Sequence, residues 1–147
     1  MDTAVKLLRY FGLGSPYRCD IGDIGVFVIG LERDSVIDLK SSIADISVEI
    51  DTLRLGPAEQ REFGTLDAYR SRLAVLQDQC EALAETRQEV IADHRRQMAL
   101  GRDSPDIQEY LYQNFEASYP VLSALASLSG RIIKLKTTVE RAMCYVD

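Results

Sequence analysis

The chain has 147 residues, 46% of them apolar and 27% charged, with 9 Gly and 4 Pro. These are the proportions of an ordinary globular domain, and they exclude a collagen-like or low-complexity disordered chain. A net charge of -6 repels a phosphate backbone unless the basic residues gather on one face, so no nucleic acid is expected as a partner. No run approaches the roughly 18 apolar residues of a membrane-spanning helix, and Met1-Asp2-Thr3-Ala4 lacks the basic start of a signal peptide, which predicts a cytoplasmic protein.

In chain order, Val5 to Phe11 reads as a short amphipathic turn or helix, ended by Gly12, Gly14 and Pro16. The run Gly22 to Gly30 admits two readings. Its β-branched and aromatic content favours a strand, but a lone strand has no pairing partner here, and the run equally fits the Gly-weakened first turns of the helix that follows. That helix is signalled by Val36, Leu39, Ile43, Ile46, Ile50 and Leu53, which alternate steps of three and four and so lie on one narrow stripe. Gly56-Pro57 ends it, because Pro cannot continue the hydrogen-bond ladder.

A second stripe passes through Leu66, Tyr69, Leu73, Leu76, Cys80, Leu83 and Val90. It predicts the longest helix, starting near Pro57 or Thr65 and running to Leu100, with Gly101 as its stop and Arg95, Arg96 and Arg102 complementing the negative end of the helix dipole. In the same register Arg87, His94 and Gln97 replace apolar residues. Either the helix end extends into solvent there, with Ile91 and Met98 taking over the contact, or a polar stretch of interface fixes register with a partner chain. Asp103-Ser104-Pro105 then opens a third helix whose buried side is marked by Ile107, Leu111 and Phe115. Pro120 predicts a kink or a short break, with a new register through Val121, Leu125, Leu128, Ile132, Leu135, Val139 and Ala142.

The predicted fold is therefore all-α: an antiparallel helical bundle or elongated coiled-coil hairpin of three main helices, the last kinked near Pro120. Residues 1–33 are expected to form an N-terminal segment that packs on or extends the bundle formed by residues 34–147.

Chemistry-bearing patterns are sparse. Helical bundles hold metals through Glu-x-x-His pairs and inward carboxylates, whereas this chain has 1 His, and Glu85, Glu89 and Asp93 near it fall outside the apolar stripe. Cys19, Cys80 and Cys144 are too scattered for a zinc site or a disulfide framework. His94 lies about four turns from Cys80 on one helix, too far to act as its base. Neither Gly12-Leu13-Gly14 nor Gly22-Asp23-Ile24-Gly25 has the spacing of a phosphate-binding loop. No cofactor, no metal and no catalytic residue is expected.

Leu39-Lys40-Ser41-Ser42-Ile43-Ala44-Asp45-Ile46 is similar to the opening helix of the small all-helical chorismate mutases. Past Ile50 the Arg-rich helix of that family is missing, so no site residue is carried over. A small all-helical enzyme stays as an alternative.

The reading that remains is a non-catalytic protein–protein interaction module working through helix faces. β-Branched residues at Val36, Ile43 and Ile50 with Leu39, Ile46 and Leu53 between them favour two-stranded pairing. The candidate interface is Phe27, Ile29, Val36, Leu39, Ile43, Ile46, Ile50 and Leu53, with a second copy of the chain and a further protein as partners. The competing assignment of this stripe is intrachain core. A membrane-surface role is the other alternative, with Val5, Leu7, Leu8 and Phe11 entering the headgroup layer beside Lys6 and Arg9; two cations make that binding weak.

Overall fold

The computed structural model describes residues 21–53, 61–98 and 100–145, with side chains from residue 29 onward. The expectations for Val5 to Phe11, Cys19, Gly56-Pro57 and the Phe27 side chain lie outside the described residues. Among those described, every regular element is an α-helix: α1 (Ile21–Leu53), α2 (Phe63–Gln97), α3 (Ile107–Leu111) and α4 (Pro120–Met143). None is long and apolar enough to cross a membrane.

α1 absorbs the run Gly22 to Gly30 as helix, so the second of the two readings holds and the β-rich composition is overridden by the helix it continues into. Gly30 has no heavy atom within 4 Å of where a Cβ would sit, so no close approach requires a glycine at that position. α2 opens where the Glu62 carbonyl accepts from the Thr65 and Leu66 amides at 3.0 and 3.1 Å. It stops at Gln97, ahead of the expected Leu100. There the Leu100 amide reaches back to the Arg95 carbonyl at 3.0 Å, the six-residue closure that satisfies a terminal carbonyl.

The third predicted helix divides into two. α3 starts after Asp106, later than the expected start at Asp103 to Pro105, and its first backbone N–H outside the helix, that of Asp106, reaches Glu109 Oε1 at 3.4 Å. Residues 112–119 are not helical, and α4 begins at Pro120 itself, a first-turn position where the missing N–H costs nothing.

Two compact units share these helices. The first takes the described residues up to Asp38 together with Arg87–Pro120; the second takes Leu39–Thr86 and the chain from Val121 on. In the second, Ile46 and Ile50 of α1 pack with Leu66, Leu73, Leu76 and Cys80 of α2 and with Leu128, Ile132, Val139 and Ala142 of α4, all buried. Ile43, Leu53, Tyr69, Leu83, Leu135 and Met143 close the edges of that core. Each fully buried aliphatic side chain contributes roughly 1.5–3 kcal/mol, and the even three-four spacing on all three segments lets them share one core. Ion pairs at its surface, Arg72 with Glu49 and Arg131 with Asp51, add little, because solvent screens exposed pairs.

The first unit is held differently. Ile107 is buried, but the Arg95 guanidinium does much of the organising: it donates to Asp106 Oδ1 at 2.8 Å and to the Gly101 and Ser104 carbonyls, both at 2.9 Å. The Tyr119 hydroxyl donates to the other oxygen of Asp106 at 2.7 Å. Loop, α3 and the lead-in to α4 are thus tied to one side chain of α2.

Candidate functional site

The first unit also encloses the concentration of polar chemistry among the described residues. Glu32 of α1 is 4% exposed, Arg87 and His94 of α2 are 1% and 5%, and Gln108 of α3 is 0%. Helix spacing explains the meeting. Glu32 lies four residues before Val36, continuing the α1 stripe by one step, while Arg87 and His94 continue the α2 stripe. All three therefore turn inward where their neighbours along the same helices are apolar.

Glu32 is the hub. Its Oε1 accepts from an Arg87 Nη2 and from the Tyr112 hydroxyl, the latter at 2.9 Å, and its Oε2 accepts from Gln108 Nε2 at 2.9 Å. Arg87 Nη1 donates to Ser35 Oγ at 3.1 Å, and that hydroxyl donates in turn to the Glu32 carbonyl at 2.8 Å. Gln108 Nε2 also donates to His94 Nδ1 at 3.1 Å, which places the proton of the neutral imidazole on Nε2. Glu32 Oε2 stands 3.8 Å from His94 Nδ1.

The electrostatics follow from this arrangement. Burial by itself raises the Glu32 carboxyl, but hydrogen bonds from Arg87, Gln108 and Tyr112 and the Arg87 charge outweigh it and hold the group below its ordinary 4.5. Burial lowers His94 below 6.5, and the Arg87 charge acts the same way against the opposing pull of Glu32 and Asp93. Burial and the bond to Glu32 push the Tyr112 phenol up to about 12. At neutral pH the set is one carboxylate, one guanidinium and a neutral imidazole, balanced in charge and closed to solvent.

The expectation that the helix end extends into solvent does not hold for Arg87 and His94: both are buried, and the α1 stripe sets Glu32 against them. Gln97 is exposed, as are Glu85, Glu89 and Asp93. Among the described residues no group of three His, Cys, Asp or Glu is placed to hold a metal ion. Cys80 sits in the core, its thiol pushed up by burial and by Glu81, and Cys144 is exposed.

Of the candidate interface residues, Leu39, Ile46 and Ile50 are buried within the chain, Ile43 and Leu53 pack against its core, Val36 is half-buried and Ile29 is exposed. An open groove of about 480 Å³ in the second unit runs beside them, between Ser42, Asp45 and Glu49 of α1 and Arg72, Gln79 and Thr86 of α2.

The profile of a family described as a domain of unknown function, DUF7260, matches residues 28–136. The chain belongs to that family. Within the DUF7260 match lie all four buried polar residues, together with Ser35 and Tyr112. No curated protein and no solved structure matches the chain.

Sequence reasoning singled out Arg87 and His94 but not Glu32, Gln108 or Tyr112. The signal for Glu32 was present: extending the Val36 stripe backward by one four-residue step lands on an acid, and the α2 stripe lands on an arginine and a histidine. Gln108 and Tyr112 had no such signal, since a helix of 5 residues is too short to show a period.

Proposed function

We propose that this DUF7260 chain is a non-catalytic helical interaction module that offers helix surface to protein partners, a second copy of itself first among them. The observation that carries this reading is the exposure of Ile29 and Ile37 on α1, 57% and 56%. Eight residues is a little over two turns, which sets the two side chains about 80° apart around the axis, within one half of the helix surface. Leu39, Ile46 and Ile50 are committed to intrachain packing, which leaves Ile29, with Val36 beside it, as the portion of the candidate interface that a partner can reach, and the exposed Ile37, outside that set, widens the surface. The closed charge balance of the Glu32 cluster supports a structural role for the buried polar groups. A cytoplasmic setting fits the acidic composition of the chain.

Light scattering of the full chain and of an Ile29→Asn, Ile37→Asn double variant tests the self-association part. The expected result is a dimeric wild type and a monomeric, still helical variant. A wild type that stays monomeric into the high micromolar range defeats self-association through this surface, and loss of helicity along with mass would return both residues to the core.

A further inference from the structure

Gln108 is held in one orientation by its neighbours. Its two amide hydrogens go to Glu32 Oε2 at 2.9 Å and to His94 Nδ1 at 3.1 Å; turned over, the amide would set its carbonyl oxygen against a carboxylate. The cost of this orientation is visible, for Gln108 Oε1 is buried and has no hydrogen-bond partner. A buried acceptor left unpaired is unfavourable, so the arrangement persists only while the other amide edge is fully used.

That condition depends on the protonation of His94. The neutral ring accepts at Nδ1; the protonated ring donates there and then faces an amide that also donates. Two rearrangements relieve the conflict. The Nδ1 proton can take over Glu32 Oε2, now 3.8 Å away, which displaces Gln108 from it. Alternatively, Gln108 can turn and give its orphaned Oε1 to the imidazolium, which also removes its bond to Glu32. Either way the Gln108 bond to Glu32 is lost, leaving the Tyr112 hydroxyl on Glu32 and the Arg95–Asp106 pair to hold the segment, and with 5 residues α3 has little helical stability of its own.

Burial favours the neutral form of His94, while among the charges around it Glu32 and Asp93 pull toward the imidazolium and Arg87 opposes them. α1 presents Glu32, α2 presents Arg87 and the exposed Asp93, and the α3 segment presents Gln108 and the phenol of Tyr112. Asp106 and Glu109 are engaged with Arg95 and Tyr119, and Asp93 with Arg96. Burial outweighs the pull of Glu32 and Asp93, so a proton on His94 is a buried charge that the cluster disfavours.

We propose that His94 is an acid-operated latch on α3: neutral, it seats Gln108 between Glu32 and the imidazole, and protonated, it unseats Gln108 and loosens Ile107–Leu111 against α1. The sign follows from linkage. The folded imidazole lies below its ordinary 6.5, so the latch is fully closed above that pH and is lost as pH falls from 6.5 through the folded value. Glu32 is held below 4.5, so His94 is the member of the cluster that changes charge in the mildly acidic range.

The chain's single His makes the test direct. NMR of the full-length protein follows the one imidazole and the Gln108 side-chain amide from neutral pH to about pH 3.5, past the carboxylate range, and hydrogen exchange, corrected for intrinsic rates, follows residues 107–112 against core amides at 66–80. The expected result is an imidazole midpoint below 6.5, with protection of the Gln108 amide and of 107–112 falling at least about tenfold at the same midpoint while 66–80 keep theirs. His94→Asn keeps an acceptor near the Nδ1 position without a titratable ring and should abolish the effect. An imidazole midpoint at or above 6.5, unchanged protection in the wild type, or an equal loss in His94→Asn overturns the proposal. Should that variant fail to fold, the wild type alone decides: coincident imidazole and Gln108 midpoints support the latch, and a Gln108 midpoint at the carboxylate range, about 4.5, assigns the change to carboxylates and overturns it.

Discussion

Replacing Arg87 with Met removes one charge of the buried pair while leaving most of the side-chain volume in place. Arg87 gives a charge-assisted hydrogen bond to Glu32 and a second bond to Ser35; such bonds are worth about 1.5–3 and about 0.5–1.5 kcal/mol respectively. The larger consequence is the carboxylate left behind, 4% exposed, with only the neutral donors of Gln108 and Tyr112 around it. Breaking a buried pair from one side costs about 3–5 kcal/mol, and that is the loss expected for Arg87→Met in urea unfolding followed by circular dichroism. Glu32→Gln in the same chain removes the stranded charge and keeps an acceptor for Tyr112, so the double variant should be more stable than Arg87→Met alone by about 1–3 kcal/mol. An Arg87→Met protein within about 1 kcal/mol of wild type, or a double variant whose loss is the sum of the two single losses, would refute the reasoning.

Leu73→Ala opens a cavity in the core of the second unit, where Leu73 is 1% exposed, and should cost about 2–5 kcal/mol in the same urea assay. Gly30→Ala meets open space in the middle of α1 and should gain about 0.5–1 kcal/mol from helix propensity, a gain that calorimetry would read as a raised Tm. Arg95→Ala removes three hydrogen bonds to Asp106, Gly101 and Ser104, so amide exchange at 100–106 should quicken while the amides of 66–80 do not change. Tyr112, pushed up to about 12, should ionise after ordinary tyrosines in an ultraviolet titration, and because the folded phenol holds its proton longer, the stability it lends is lost as pH rises from 10 to about 12.

The stripes from Val36 to Leu53 and from Leu66 to Leu83 were readable because their apolar residues keep the helical period over several turns, and the core at Ile46, Ile50, Leu73 and Leu76 uses those positions. The α4 stripe was readable for the same reason. What the period could not do was separate α3 from α4, since Ile107, Leu111 and Phe115 continue a helical spacing past Leu111 although the backbone leaves the helix there. Phe115, expected on the buried side, is instead 62% exposed and meets Tyr112 edge-to-face, with ring centroids 5.5 Å apart. The buried cluster is only half legible because each polar residue carries its signal on its own helix. An acid on one stripe and a base on another become a pair only when the two stripes are laid against each other, and Gln108 enters through a segment with no periodic signature.

The contacts that seat α3 join distant parts of the chain: Glu32 and Gln108 are separated by 76 positions and Glu32 and Tyr112 by 80, whereas Glu32 and Arg87 are separated by 55. Chain closure between far residues must be met before such bonds return anything, and α3 has too few turns to form ahead of them. In the order of folding, α3 should therefore arrive after α1 and α2 have brought Glu32 and Arg87 together. Substitutions at Gln108 and Tyr112 would then leave the folding rate nearly untouched and act through faster unfolding, with φ values near zero.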